Sequence, residues 1–68
     1  MTLEDYRLEC DWSKNEMCRQ ASLDFTTLQR ALSGETITSR SAEKLARAIS
    51  KRLGRTVRIA DIEGLNVK

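Results

Sequence analysis

The chain contains no histidine and no proline, and only two cysteines, three aromatic residues and three glycines among its 68 residues. With no histidine, Cys10 and Cys18 fall short of the roughly four Cys or His ligands that a structural zinc needs, so no metal site is expected. The same lack leaves no nucleophile and base pair, which makes catalysis the least favoured reading; no cofactor or small-molecule ligand is implied. No apolar run approaches bilayer length, and Met1-Thr2-Leu3-Glu4-Asp5 is acidic where a signal peptide is basic. The expected compartment is therefore the cytoplasm, with no membrane partner. Two cysteines permit a disulfide by count, but both fall on apolar faces of predicted helices, where a free thiol packs as a small hydrophobe. Without proline, punctuation falls to Gly34, Gly54, Gly64 and the capping residues.

What is present is an ordinary globular mixture, 40% hydrophobic and 32% charged, which argues against disordered, collagen-like and membrane classes. The length allows one domain, residues 1–68. A domain this small buries only about 60% of its unfolded surface, so a partner subunit would add to a marginal core. The net charge of +2 conceals an asymmetry. Residues 1–35 carry four basic and seven acidic side chains; residues 36–68 carry eight basic and three acidic. The basic half suits a polyanion, or is simply a solvated face.

Thr2 with Asp5 opens a first helix over about residues 3–10, with Leu3, Tyr6 and Cys10 on one face. Trp12 follows in the connection, where it plugs the core at the helix end or contacts DNA or a ligand. Ser13 with Glu16 three residues later forms a capping box, and Asp24 caps a second short helix. Met17, Cys18 and Ala21 make one apolar stripe; Leu28, Ala31 and Leu32 make the other. Residues 13–34 thus form a helix-turn-helix motif. After Gly34, residues 35–38 read as a loop and Ser39 as the cap of a long helix reaching about residue 53. Its stripe is Ala42, Leu45, Ala46, Ile49 and Leu53; Glu43 supports Arg47 across one turn, and Gly54 stops the helix. Beyond it, Val57 and Ile59 alternate as in a strand, whereas Ile59, Ile62 and Leu65 are spaced as in a short helix. The tail, residues 64–68, either folds back onto the domain or pairs with a second chain.

The stretches Tyr6-Arg7, Ser13-Lys14-Asn15-Glu16-Met17, Ala21-Ser22-Leu23, the following helix to Gly34, and Ser41-Ala42-Glu43-Lys44-Leu45-Ala46-Arg47-Ala48-Ile49 occur in a telling order. In that order and spacing the chain resembles the Cro/CI-type (Xre-like) helix-turn-helix regulators of bacteria and their phages. The resemblance implies an all-α, lambda-repressor-like bundle of about five short helices, double-stranded DNA as partner, and a homodimer or higher self-assembly on a pseudo-palindromic operator. It also favours a short helix over residues 59–64. Three positions depart from the family pattern. Ser22 stands where glycine usually takes positive φ, at a cost on the order of 1 kcal/mol. Arg7 lacks its usual acidic partner, because Leu32 occupies that place, and is left to reach a phosphate or solvent. Phe25, rather than glutamine or serine, opens the recognition helix.

With Leu28, Ala31 and Leu32 buried, the opposite face of the second motif helix carries Thr26, Gln29, Arg30 and Ser33, with Phe25 and Thr27 at its margins. Base contact is expected from Phe25, Thr26, Gln29 and Arg30: Gln29 suits adenine, Arg30 guanine, and the Thr26 methyl thymine. Phe25 either packs on thymine methyls or folds under as a staple. Phosphate contact is expected from Lys14, Thr27, Ser33, Arg40 and Ser41, the first and last two by the resemblance. The leading expectation is a small transcriptional regulator, a repressor of a phage, mobile element or bacterial operon. Its rivals are a self-assembling scaffold built on the same fold, in which the acidic half of one copy meets the basic half of the next, and a DNA-binding antitoxin.

Overall fold

The computed structural model describes residues 1–68 as four α-helices, one turn of 3₁₀ helix and a two-stranded sheet. Helix α1 spans Leu3–Glu9, α2 Lys14–Ala21, α3 Phe25–Leu32 and α4 Ser39–Leu53. The expected fifth helix is reduced to the 3₁₀ turn Ile59–Asp61. The sheet, absent from the all-α expectation, pairs β1, Thr36–Ile37, in parallel with β2, Asn66–Val67. Half the expectation for residues 57–67 therefore changes: the strand-like part is the tail. It returns to its own chain rather than waiting for a second one.

Each helix start has a local chemical cause. The Thr2 hydroxyl accepts the Asp5 amide at 3.1 Å while the Asp5 carboxylate accepts the Thr2 amide at 2.9 Å, a closed capping box. At α2 only half of the expected box forms. Ser13 Oγ accepts the Glu16 amide at 3.1 Å, but the Glu16 carboxylate turns outward to accept from Arg19 and Gln20. Asp24 caps α3 as expected. For α4 the cap is Thr38, one residue earlier than Ser39; its hydroxyl accepts the Ser41 amide at 3.2 Å.

The helix ends share one device. After α1, α2 and α3 the chain passes through a left-handed residue: Asp11 (φ 58°), Ser22 (φ 56°) and Gly34 (φ 82°). Around each, two backbone bonds close the end: Trp12 N–H to Arg7 C=O with Asp11 to Leu8, Leu23 to Cys18 with Ser22 to Arg19, and Glu35 to Arg30 with Gly34 to Ala31. These are Schellman closures, which satisfy carbonyls that would otherwise lose their partners at the helix end. Gly54 (φ 71°) ends α4 as expected.

The core is wholly apolar, sixteen buried residues with no buried polar side chain. Leu3, Tyr6 and Cys10 of the α1 face meet Met17, Cys18 and Ala21 of α2, Leu28 and Ala31 of α3, and Ala42, Leu45, Ala46 and Ile49 of α4. Trp12 is buried among them, which settles it as a core plug. Both thiols are free and buried, and burial pushes each above its ordinary pKa, so they pack as hydrophobes. Leu32, placed on the buried stripe by periodicity, is only half-buried, and Glu43 makes no ion pair with Arg47. Past Gly54, Ser50 latches the extended segment: its Oγ accepts the Val57 amide at 2.7 Å and donates to the Ala46 carbonyl at 2.7 Å. The tail then straps two distant places together. Glu63 N–H donates to Met1 C=O at 2.9 Å, Lys68 N–H donates to Ile37 C=O at 3.0 Å, and Asn66 Nδ2 donates to the Gly34 carbonyl. No helix is long and apolar enough to cross a membrane.

Candidate nucleic-acid interface

Helix α3 is held at both ends and along one side, which fixes the direction of its outer face. Leu28 and Ala31 are buried beneath it, Asp24 locks its start and Gly34 its end. The three residues between α2 and α3 allow no slack. Ser22 supplies the positive φ expected of it, and Leu23 tucks partly against the core. Phe25, Thr26, Gln29 and Arg30 are consequently exposed together on the side away from the core. Phe25 retains 46% of its surface in solvent, so it does not fold under as a staple.

Two polar depressions flank this face. On one side Lys14 at the start of α2, Gln29 on α3 and Ser33 just past its end line a hollow of about 340 Å³ with Glu4 and Leu32. On the other, Thr27 and Arg30 of α3 and Ser41 of α4 line a hollow of about 140 Å³ with Thr36, Ile37, Thr38 and Lys68. Six of the nine expected contact residues thus meet in two clusters beside one helix. Arg40 is exposed in the first turn of α4, and Phe25 and Thr26 stand at the leading end of α3; these three line neither hollow.

The hydrogen bonds divide the candidates further. Thr27 donates its hydroxyl proton to Asp24 Oδ1 and its amide to Oδ2, so in this arrangement its side chain has no proton left for a phosphate. Those two bonds, the hydroxyl first, hold the Asp24 carboxyl below its ordinary pKa, with a smaller contribution from Arg30. Ser41 is different: its Oγ accepts from the Thr38 hydroxyl at 3.0 Å and keeps its own proton to give. Lys14, Arg30, Arg40 and Lys68 make no direct ion pair within the chain, leaving four cations around α3 without a contacting carboxylate.

Arg7 does not reach outward. Its Nε donates to Glu4 Oε1 at 2.8 Å and its Nη2 to Oε2, while Nη1 donates to the Trp12 carbonyl at 2.8 Å. Glu4, one turn earlier in the same helix, replaces the missing partner at Leu32, and Arg7 ties α1 to the connection before α2. The paired guanidinium lowers the Glu4 carboxyl pKa, with Lys14 a smaller cause. Lys68 was not expected at this site. It is brought there by pairing of β2 with β1, and only the apolar alternation of Leu65 and Val67 hinted at a strand.

Comparison with protein-family models, curated proteins and solved structures finds no match to this chain.

Proposed function

We propose that the chain is a sequence-specific double-stranded DNA-binding protein of the Cro/CI helix-turn-helix type, with a lambda-repressor-like arrangement of its helices, and that it serves as a small transcriptional repressor. One observation carries this reading: α3 presents an exposed face of Phe25, Thr26, Gln29 and Arg30 between two hollows bordered by unpaired cations. Eight residues of helix extend about 12 Å, a length suited to the major groove. Inserted with its start leading, α3 offers Thr26 and Phe25 to thymine methyls, Gln29 to adenine and Arg30 to guanine. Lys14 and Ser33 on one side, and Arg40, Ser41 and Lys68 on the other, then meet the two phosphate walls of the groove. The starts of α2 and α4 add free amides whose partial positive charge favours phosphate.

Fluorescence anisotropy with duplexes enriched for binding tests the assignment. Arg30→Ala is expected to cost about 1–3 kcal/mol on the preferred site and to relax one base position. Lys14→Ala is expected to weaken all duplexes alike and to shallow the salt dependence by about one unit of slope. Unchanged affinity in Arg30→Ala would remove α3 from the reading role.

A further inference from the structure

A second charged surface lies away from α3. The closing end of α2 and the middle of α4 border a groove of about 340 Å³, whose apolar lining is half-buried Ala48 beside the almost fully buried Ala21 and whose polar lining is Gln20, Ser22, Lys44, Arg47 and Lys51; Lys44 Nζ donates to the Ser22 carbonyl at 3.5 Å. It runs on into a hollow of about 400 Å³ where Trp12 and Arg52 join Gln20, Ala48 and Lys51. No acidic residue lines either part, and none of the four cations takes part in an ion pair. These residues sit at the opposite end of α2 from Lys14 and follow Arg40 and Ser41 along α4, so the groove is separate from the face proposed to read DNA.

The complement of this groove is on the chain itself. Leu8 of α1 is 62% exposed, the most exposed large hydrophobic residue of the molecule. Asp5 stands one turn before it, Glu9 follows it and Asp11 lies one turn later; Glu9 and Asp11 make no ion pair. An acidic surface of this kind is repelled by DNA and suits a protein partner. A single exposed leucine is unremarkable, but here an apolar knob ringed by carboxylates faces outward on the same molecule that carries an apolar-floored groove ringed by cations.

We infer that α1 of one copy docks in the α2–α4 groove of the next, with Leu8 seated on Ala21 and Ala48 and Asp5, Glu9 and Asp11 facing Lys44, Arg47 and Lys51. The two patches differ, so the contact is head-to-tail and leaves a free groove and a free α1 at the ends of each assembly. Both lie off the α3 face, and copies bound side by side on a duplex would reinforce one another. The contact does not depend on the DNA reading, because association is measured on the protein alone.

Sedimentation velocity of the protein alone provides that test. At about 50 mM salt the average mass is expected to rise above the 7.7 kDa of one chain with increasing concentration, and to return to it near 500 mM, where exposed charges are screened. Leu8→Ser is expected to weaken association about tenfold, as loss of a central apolar anchor does. Glu9→Lys and Lys51→Glu should each weaken it, and the double variant should recover part of the loss. All three positions are exposed, and circular dichroism checks that the fold persists. A single-chain mass at every concentration and salt overturns the inference, as does undiminished association in Leu8→Ser and Lys51→Glu. So does a monomeric protein whose DNA affinity falls with Lys51→Glu, which would assign the groove to phosphate.

Discussion

Asp24 holds two roles that pull against each other. Its carboxylate caps α3 through the Thr27 amide and hydroxyl, yet it places a negative charge at the end of the helix proposed to enter the groove. Asp24→Asn keeps an acceptor for the cap and removes the charge, so we expect stability within about 0.5 kcal/mol of the parent and tighter DNA binding; thermal melts and anisotropy measure the two effects separately. Ser22 offers the converse case, a backbone strain with no charge. Ser22→Gly is expected to stabilise by about 0.5–1 kcal/mol in chemical denaturation, relief of the left-handed strain exceeding the added freedom of the unfolded chain. Gly34→Ala should destabilise by about 1 kcal/mol or more, and purely through the backbone, because a Cβ there meets nothing within 4 Å. Ser22 could be anticipated from the resemblance, but Asp11 could not. Its sequence context lacks glycine or asparagine, and the turn becomes visible only once Trp12 is seen to bond back to Arg7.

At the scale of elements, caps set the response to acid. Asp24, Asp5 and Glu16 at helix starts, and Glu4 beside Arg7, all have carboxyls held below their ordinary pKa by hydrogen bonds to the charged form. The unfolded chain therefore takes up protons at higher pH than the folded one. The stability these groups contribute is present above the ordinary carboxylate pKa of about 4 and is lost as pH falls through their lowered values. Urea midpoints are expected to be flat from about pH 7 to 5 and to drop below about 4. The helices themselves were legible because their stripes are regular: four of the five positions that periodicity selects in α4 are buried, and the fifth, Leu53, is half-buried at the helix end. Two caps were read imperfectly for a simple reason. Thr38, Ser39 and Ser41 are all competent capping residues, and Glu16 has Arg19 and Gln20 within a turn to compete for its carboxylate. The sheet escaped because two-residue strands carry too little alternation to be recognised, and pairing β1 with β2 joins positions thirty residues apart.

For the whole molecule, the returning tail is what closes a small domain. It covers the core with Leu65 and Val67, ties Glu63 to the N-terminal residue, and sets Lys68 beside Arg30 and Ser41. Ending the chain after Gly64 is expected to cost about 1–3 kcal/mol of stability from lost apolar burial and to weaken DNA binding through the α3–α4 connection; denaturation and anisotropy on the shortened chain measure both. The expected bundle was right in its helical character and in the burial of most stripe positions, Leu32 and Leu53 being only half-buried, whereas the outer face of α3 was legible as a surface and not as a code: Phe25 is exposed, and helical periodicity alone names no partner for it. The central claim is that this face reads base sequence. Selection of bound duplexes from a random pool, performed with the parent and with Arg30→Ala, tests it most directly. The account predicts that the parent enriches a short motif and that Arg30→Ala enriches the same motif with one position relaxed. A pool that emerges without enrichment, or an identical motif from both proteins, would contradict it.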